Sequence, residues 1–197
     1  MPEKEQKTEL AKLSKGEQAK KRLVRIAARL FIKNGYHATG IRDVIEQAQT
    51  SQGSFYFYFK SKKELGVEVH KYFSGITTDV LQGFAENSTW HEFVEKLMDW
   101  GLAVAVKQKN YGCPFAVLGM ESAYMEPELA ELYYESLLRN VQIFKKPLLN
   151  SGLTEEEAFL KAERAFSLYE GYMLRYRLSR NLDELKKLRS ALEDVHN

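Results

Sequence analysis

Cysteine occurs once in this chain, proline four times and glycine twelve times in 197 residues. A lone Cys113 excludes an intramolecular disulfide and any cysteine-rich metal site. So few helix breakers among so many helix formers predict an all-α fold. No run of eighteen apolar residues exists, so no segment reads as membrane-spanning and no membrane partner is expected. The charged N-terminus lacks the apolar stretch of a signal peptide, which makes the cytoplasm the expected location. Also missing are a P-loop, a GxGxxG, an HExxH and a GxSxG. The four histidines, His37, His70, His91 and His196, make no metal-binding i, i+4 pair. Glu155 to Glu157 read as charges favoured at a helix N-terminus, not as paired catalytic carboxylates. The expectation is a chain that is not an enzyme, with no catalytic residues, no metal and no cofactor.

What is present is unevenly distributed. The net charge is only +2, yet residues 1–65 hold 14 Lys or Arg against 7 Asp or Glu, and the remainder holds 15 against 20. One end suits a polyanion and the other does not, although a solvated polar face could account for part of the surplus. Residues 1–14 read as a polar arm. From Ser14, Ala19, Leu23, Ile26, Ala27, Leu30 and Phe31 mark one face of a helix that Asn34-Gly35 ends. Thr39 is placed to cap a second, short helix with Ile41, Val44, Ile45 and Ala48 inward. Ser51 or a neighbour is placed to cap a third, roughly Gln52 to Tyr58. Ser61 then opens a long fourth helix towards Phe84. Two short helices joined by a tight turn and braced by a longer first helix make a helix-turn-helix unit. Further helices follow: one after Thr89, one opened by Cys113-Pro114 beyond an Asn110-Tyr111-Gly112 turn, and one from Glu126-Pro127 to about Asn150. A capping box, Thr154 with Glu157, starts a helix of about 25 residues, and a last amphipathic helix spans about Asp183 to Val195. The total is about nine helices.

The segment Thr39 to Leu65, TGIRDVIEQAQTSQGSFYFYFKSKKEL, resembles the DNA-binding region of tetracycline-repressor (TetR) type regulators. Thr39, Ala48, Gly53-Ser54-Phe55-Tyr56, Phe59, Lys62 and Leu65 occupy the places of that pattern. One departure stands out: Gln49 holds the place of the usual turn glycine. The resemblance implies a repressor that grips operator DNA through residues 15–65, and senses and dimerises through residues 66–197. Within the DNA-binding region, Arg42 suits guanine if it reaches a base and a phosphate if it does not. Thr50, Ser51, Gln52 and Ser54 begin the third helix, with Gln52 the candidate adenine reader, and Thr39 leads the second helix of the same DNA-binding pattern. Tyr56 and Lys62 resemble phosphate clamps. Of Phe57 and Tyr58, one should face the groove, where an aromatic meets a thymine methyl; the alternative is that both pad the helix.

Gly112-Cys113-Pro114-Phe115 with Leu118 and Glu121 resembles a pattern in one branch of these regulators, and Glu170-Gly171 with Asn181-Leu182 resembles their penultimate helix and its turn. This implies an apolar cavity for a small-molecule inducer and a homodimer formed through the last two helices. Candidate ligand residues are Trp90, Phe93, Met98, Trp100, Cys113, Phe115, Met120, Phe144, Tyr172 and Met173, though such a stripe packs a core as readily as it lines a pocket. Ala158, Ala162, Ala165 and Phe166, with Leu168 and Tyr169, are read as a self-complementary dimer face. Cys113 at a helix N-terminus, with Lys107 and Lys109 nearby, is read either as a thiolate that traps an electrophilic inducer or as a small buried hydrophobe.

Overall fold

A computed structural model describes residues 14–107 and 112–196. The arm over residues 1–13, and Lys109 and the Asn110-Tyr111 part of the expected turn, lie outside the described residues. Among the described residues there are nine α-helices and no strand. They are α1 (Lys15–Asn34), α2 (Ile41–Ala48), α3 (Gln52–Tyr58), α4 (Lys62–Ala85), α5 (Trp90–Val106), α6 (Pro114–Ser122), α7 (Pro127–Asn150), α8 (Glu155–Ser179) and α9 (Asp183–Glu193). No described helix is long and apolar enough to cross a membrane.

Short polar side chains set most of the helix starts. Ser14, Ser51, Thr89 and Thr154 each accept the N–H three residues on, and Ser61 does the same for Glu64. Glu17, Glu92 and Glu157 close three of these into capping boxes, which satisfies two otherwise orphaned N–H groups at each end. Gly35, with φ +100°, ends α1 where a side chain would be strained. Thr39 does not cap α2 as expected. Gly40 holds the cap position, its N–H donating to Asp43, while Thr39 is buried with its hydroxyl donating to the Gly35 carbonyl at 2.8 Å. Gln49 does take the left-handed conformation, φ 49° and ψ 50°, that the departure from glycine demands. The strain, about 1–2 kcal/mol, is held by Thr50 N–H donating to the Ile45 carbonyl and Gln49 N–H to that of Glu46.

The described residues fall into two compact units, one within residues 1–77 and 117–133, the other within 78–116 and 134–197. In the first, Leu23, Ala27, Ala28 and Phe31 of α1 are buried, as are Val44 and Ala48 of α2, Phe55 of α3, Phe59 just after it and Leu65 of α4. In the second, Trp90, Phe93, Phe144 and Phe166 make an edge-to-face aromatic cluster, with Ala158, Ala162 and Ala165 buried beside it. The Trp90 indole N–H donates to the Leu192 carbonyl at 2.7 Å, which ties α5 to the last helix. The face of α8 read above as a dimer surface is therefore the inward one. Its exposed apolar residues are Phe159, Leu160, Leu174 and Leu178.

Candidate functional site

The candidate reading surface is built on α2 and α3, whose inward residues leave a polar and aromatic outer face. Ser51, Gln52 and Tyr56 are exposed, Thr50 and Ser54 half-buried. Phe57 is 82% exposed, which no packing requirement explains. Tyr58, its neighbour, is half-buried; its hydroxyl lies 3.5 Å from where a Cβ on Gly16 would be, so it pads α3 against α1. Of the pair, then, Phe57 is the one free to meet a partner. Arg42 is exposed, with its guanidinium 3.0 Å from Glu46 one turn on. That pair is worth only a few tenths of a kcal/mol at a surface and can be exchanged for another anion. Buried Thr39 has no such freedom. Along α1, Lys21, Arg22, Arg25 and Lys33 are exposed.

Lys62 is only partly available. Its ammonium donates to the His37 carbonyl at 3.3 Å and stands 4.5 Å from the centre of the Tyr36 ring. Burial pulls its pKa below the ordinary lysine value, although Glu121, Glu126 and Asp43 favour the charge.

Sequence reasoning missed what surrounds it. Residues 117–133 pack within the first unit, and Glu121 is their main polar hold. Its carboxylate accepts the Tyr36 N–H at 2.5 Å and its carbonyl accepts from His37 Nε2 at 2.7 Å. A Cβ on Gly35 would stand 3.0 Å from the Glu121 carboxylate, so only glycine admits this approach. Lys63 pairs with Glu126 and Glu128, Leu129 lies 2.9 Å from where a Cβ on Gly66 would be, and Tyr133 meets His70 edge-on. The Tyr36 hydroxyl is buried without a hydrogen-bond partner among the described residues and is pushed up to about 12 by burial and by Glu126. Glu121 appears in the sequence pattern, but its contacts lie some 85 residues away along the chain, where no local periodicity reaches.

In the second unit Trp90, Phe93 and Phe144 are core residues, buried in ring contact with one another. Met98, Trp100 and Met173 line a cleft with Leu97, Gly101, Tyr169, Leu185 and Leu188; its enclosed space is about 10 Å³, room for about one water. Tyr172 is half-buried, with Arg175 over its ring. Phe115 is buried. Met120 is 70% exposed and belongs to the other unit, so it does not join this set.

Cys113 departs from the thiolate expectation. It is buried, and the Phe115 and Ala116 N–H groups that favour its anion are outweighed by burial and by Glu170, which push the thiol well above its ordinary value. A protonated, enclosed thiol is a poor trap for electrophiles. Glu170 itself is raised to about 7 by burial, with its hydrogen bond to Cys113 acting the other way. A carboxyl raised from 4.5 binds its proton more tightly folded than unfolded, so stability falls as pH rises from about 4.5 through 7. We expect a loss on the order of 1–3 kcal/mol across that interval. Urea midpoints for the wild type should fall relative to Glu170→Gln between pH 5 and pH 8; parallel profiles would contradict this. Among the described residues no cluster of His, Cys, Asp or Glu could hold a metal ion.

Residues 23–69 match the model for bacterial regulatory proteins of the tetR family. An uncharacterized HTH-type transcriptional regulator, YxaF of Bacillus subtilis (strain 168), is 27% identical over 158 residues, covering 78% of this chain and 82% of that protein. The HTH-type transcriptional repressor DhaR of Mycobacterium sp. (strain GP1) is 24% identical over 173 residues, 83% of this chain and 84% of that one. A solved TetR transcriptional regulator from Legionella pneumophila superposes with a TM-score of 0.81 at 22% identity, covering 93% of this chain and 98% of that one.

Proposed function

The chain belongs to the tetracycline-repressor (TetR) family of DNA-binding transcriptional regulators, and on that premise we propose that it is a homodimeric repressor released from its operator by a small molecule. The observation that carries the reading half is the outer face of α2 and α3. A nearly fully exposed Phe57 stands there with exposed Gln52, Tyr56 and Arg42, on a unit whose first helix presents a row of cations.

Residues 15–65 grip the DNA. Arg42 and Gln52 offer the bidentate hydrogen bonds that guanine and adenine take in the major groove, and Phe57 offers an apolar surface to a thymine methyl. Thr50, Ser51, Ser54 and Tyr56 surround the backbone, and Lys62 reaches a phosphate only by leaving the 36–37 turn. Residues 66–197 sense and dimerise. A single small helix-turn-helix reads few bases, and paired half-sites require a two-fold partner. The exposed Phe159, Leu160, Leu174 and Leu178 of α8 supply an apolar patch for a second copy, with α9 beside it. The candidate inducer site is the region of the cleft at Met98, Trp100 and Met173.

Coupling follows from connectivity. The chain passes between the units within α4, α6 and α7, and the α6–α7 connection is held by Glu121 to the turn that follows α1. An inducer that binds the DNA-free arrangement better shifts these helices and hence the reading heads. Glu121→Ala should leave the Tyr36 N–H without its acceptor and lower stability by about 1–3 kcal/mol. Urea unfolding and hydrogen exchange at the Tyr36 amide check this; unchanged protection there would remove Glu121 from the account.

The proposal is tested by selecting bound fragments from a random duplex pool with the purified full chain. Enrichment of a two-fold symmetric site supports it, and failure to enrich any sequence contradicts it.

A further inference from the structure

Three groups for which DNA reading has no use meet inside the second unit. The Cys113 thiol, at the start of α6, donates to the Glu170 carboxyl of α8, and the Tyr169 hydroxyl lies close enough to both to feel their charge. Glu170 Oε1 is buried and has no hydrogen-bond partner among the described residues. A native fold rarely leaves a buried acceptor unmade, and one that persists calls for an explanation. The surroundings are aromatic and soft. Phe166 stacks on Tyr169 with ring centres 6.0 Å apart and 15° between planes, and Phe144 meets the same ring edge-on. Tyr169 also walls the cleft that holds Met98, Trp100 and Met173.

We propose that Glu170 anchors a small organic cation bearing an N–H donor, a protonated amine whose apolar body spreads into the cleft beside Tyr169. This rests on the reading of the second unit as a sensor and names the ligand class for it. The thiol leaves Oε1 without any donor, and an ammonium N–H supplies both the donor and the opposite charge. Aromatic faces attract a cation that has left water. Unbranched methionines make room for its body, which the cleft as it stands does not. An anion would meet a carboxyl on which no cation acts among the described residues. A quaternary ammonium would bring the charge without the hydrogen bond.

The test uses the full chain free of DNA, by calorimetry and thermal melting, with 2-phenylethylamine and 4-phenylbutylamine as probes. Their neutral alcohols and trimethylammonium counterparts are the controls. The expected result is saturable binding of an amine with Kd at or below about 1 mM. The matched alcohol and the quaternary analogue should bind at least about tenfold more weakly. Glu170→Gln should lose a similar factor while Cys113→Ser keeps binding. Binding of neither amine, equal binding of the alcohol, or an undiminished Glu170→Gln would each overturn the proposal. If Glu170→Gln does not fold, the three-way comparison on the wild type decides alone. Release of a selected operator separates the two readings. An amine that binds yet leaves the DNA complex intact sustains this site and contradicts induction through it. A different compound that releases the operator while the amines fail sustains induction and overturns this site.

Discussion

Phe144→Ala should lower the unfolding free energy by about 3–5 kcal/mol. The ring is fully buried, touches Trp90, Phe93, Phe166 and Tyr169, and joins α7 to α5 and α8 within one cluster. Truncation removes its transfer energy and leaves a cavity that four other rings, held edge-to-face, cannot close. A loss of that size is a large part of a domain's total stability. Urea unfolding followed by far-UV dichroism measures it. A loss below about 1 kcal/mol would mean that the cluster collapses onto the gap and is not the keystone described here.

Phe57→Ala should do the opposite. Its ring is 82% exposed on α3, so unfolding should change by no more than about 0.5 kcal/mol. Affinity for a selected operator should fall by about 1–3 kcal/mol, roughly tenfold to a hundredfold, and binding to random DNA should barely move. Replacing operator thymines with deoxyuridine should weaken the wild type and leave Phe57→Ala indifferent at the contacted step. Anisotropy with both duplexes measures this. An Ala variant that still discriminates thymine from uridine assigns the methyl contact elsewhere. The two phenylalanines differ only in place: one is enclosed by rings, the other faces water.

Local chemistry made the helices legible. Ser51, Ser61, Thr89 and Thr154 announce starts through side-chain oxygens that reach three residues on, and those starts are where the structure has them; the Ser14 cap of the first helix went unread. Thr39 misled because a hydroxyl beside a helix start can equally turn back to the previous turn's carbonyl, as it does to Gly35. The faces of α8 were harder. A helix with alanines on one side and leucines on the other does not say which side turns inward, and small residues suit a tight intramolecular crossing as well as a dimer seam. Here Ala158, Ala162 and Ala165 are interior, and Leu160, Leu174 and Leu178 are left outside. The Glu121 hold on Tyr36 and His37 and the orphaned oxygen of Glu170 depend on contacts distant in sequence and on desolvation, neither of which has a local period. Cys113 shows the same limit: its place at a helix start predicts a lowered pKa, and its burial beside a carboxyl reverses the sign.

The most direct test of the central claim is fluorescence anisotropy of the full chain on its selected operator and on random duplex, at two salt concentrations. The expected result is tight, competitor-resistant binding to the operator, at least about a thousandfold above random DNA, with affinity falling steeply as salt rises. Equal affinity for the two duplexes would contradict a reading surface on α2 and α3, whatever the salt dependence.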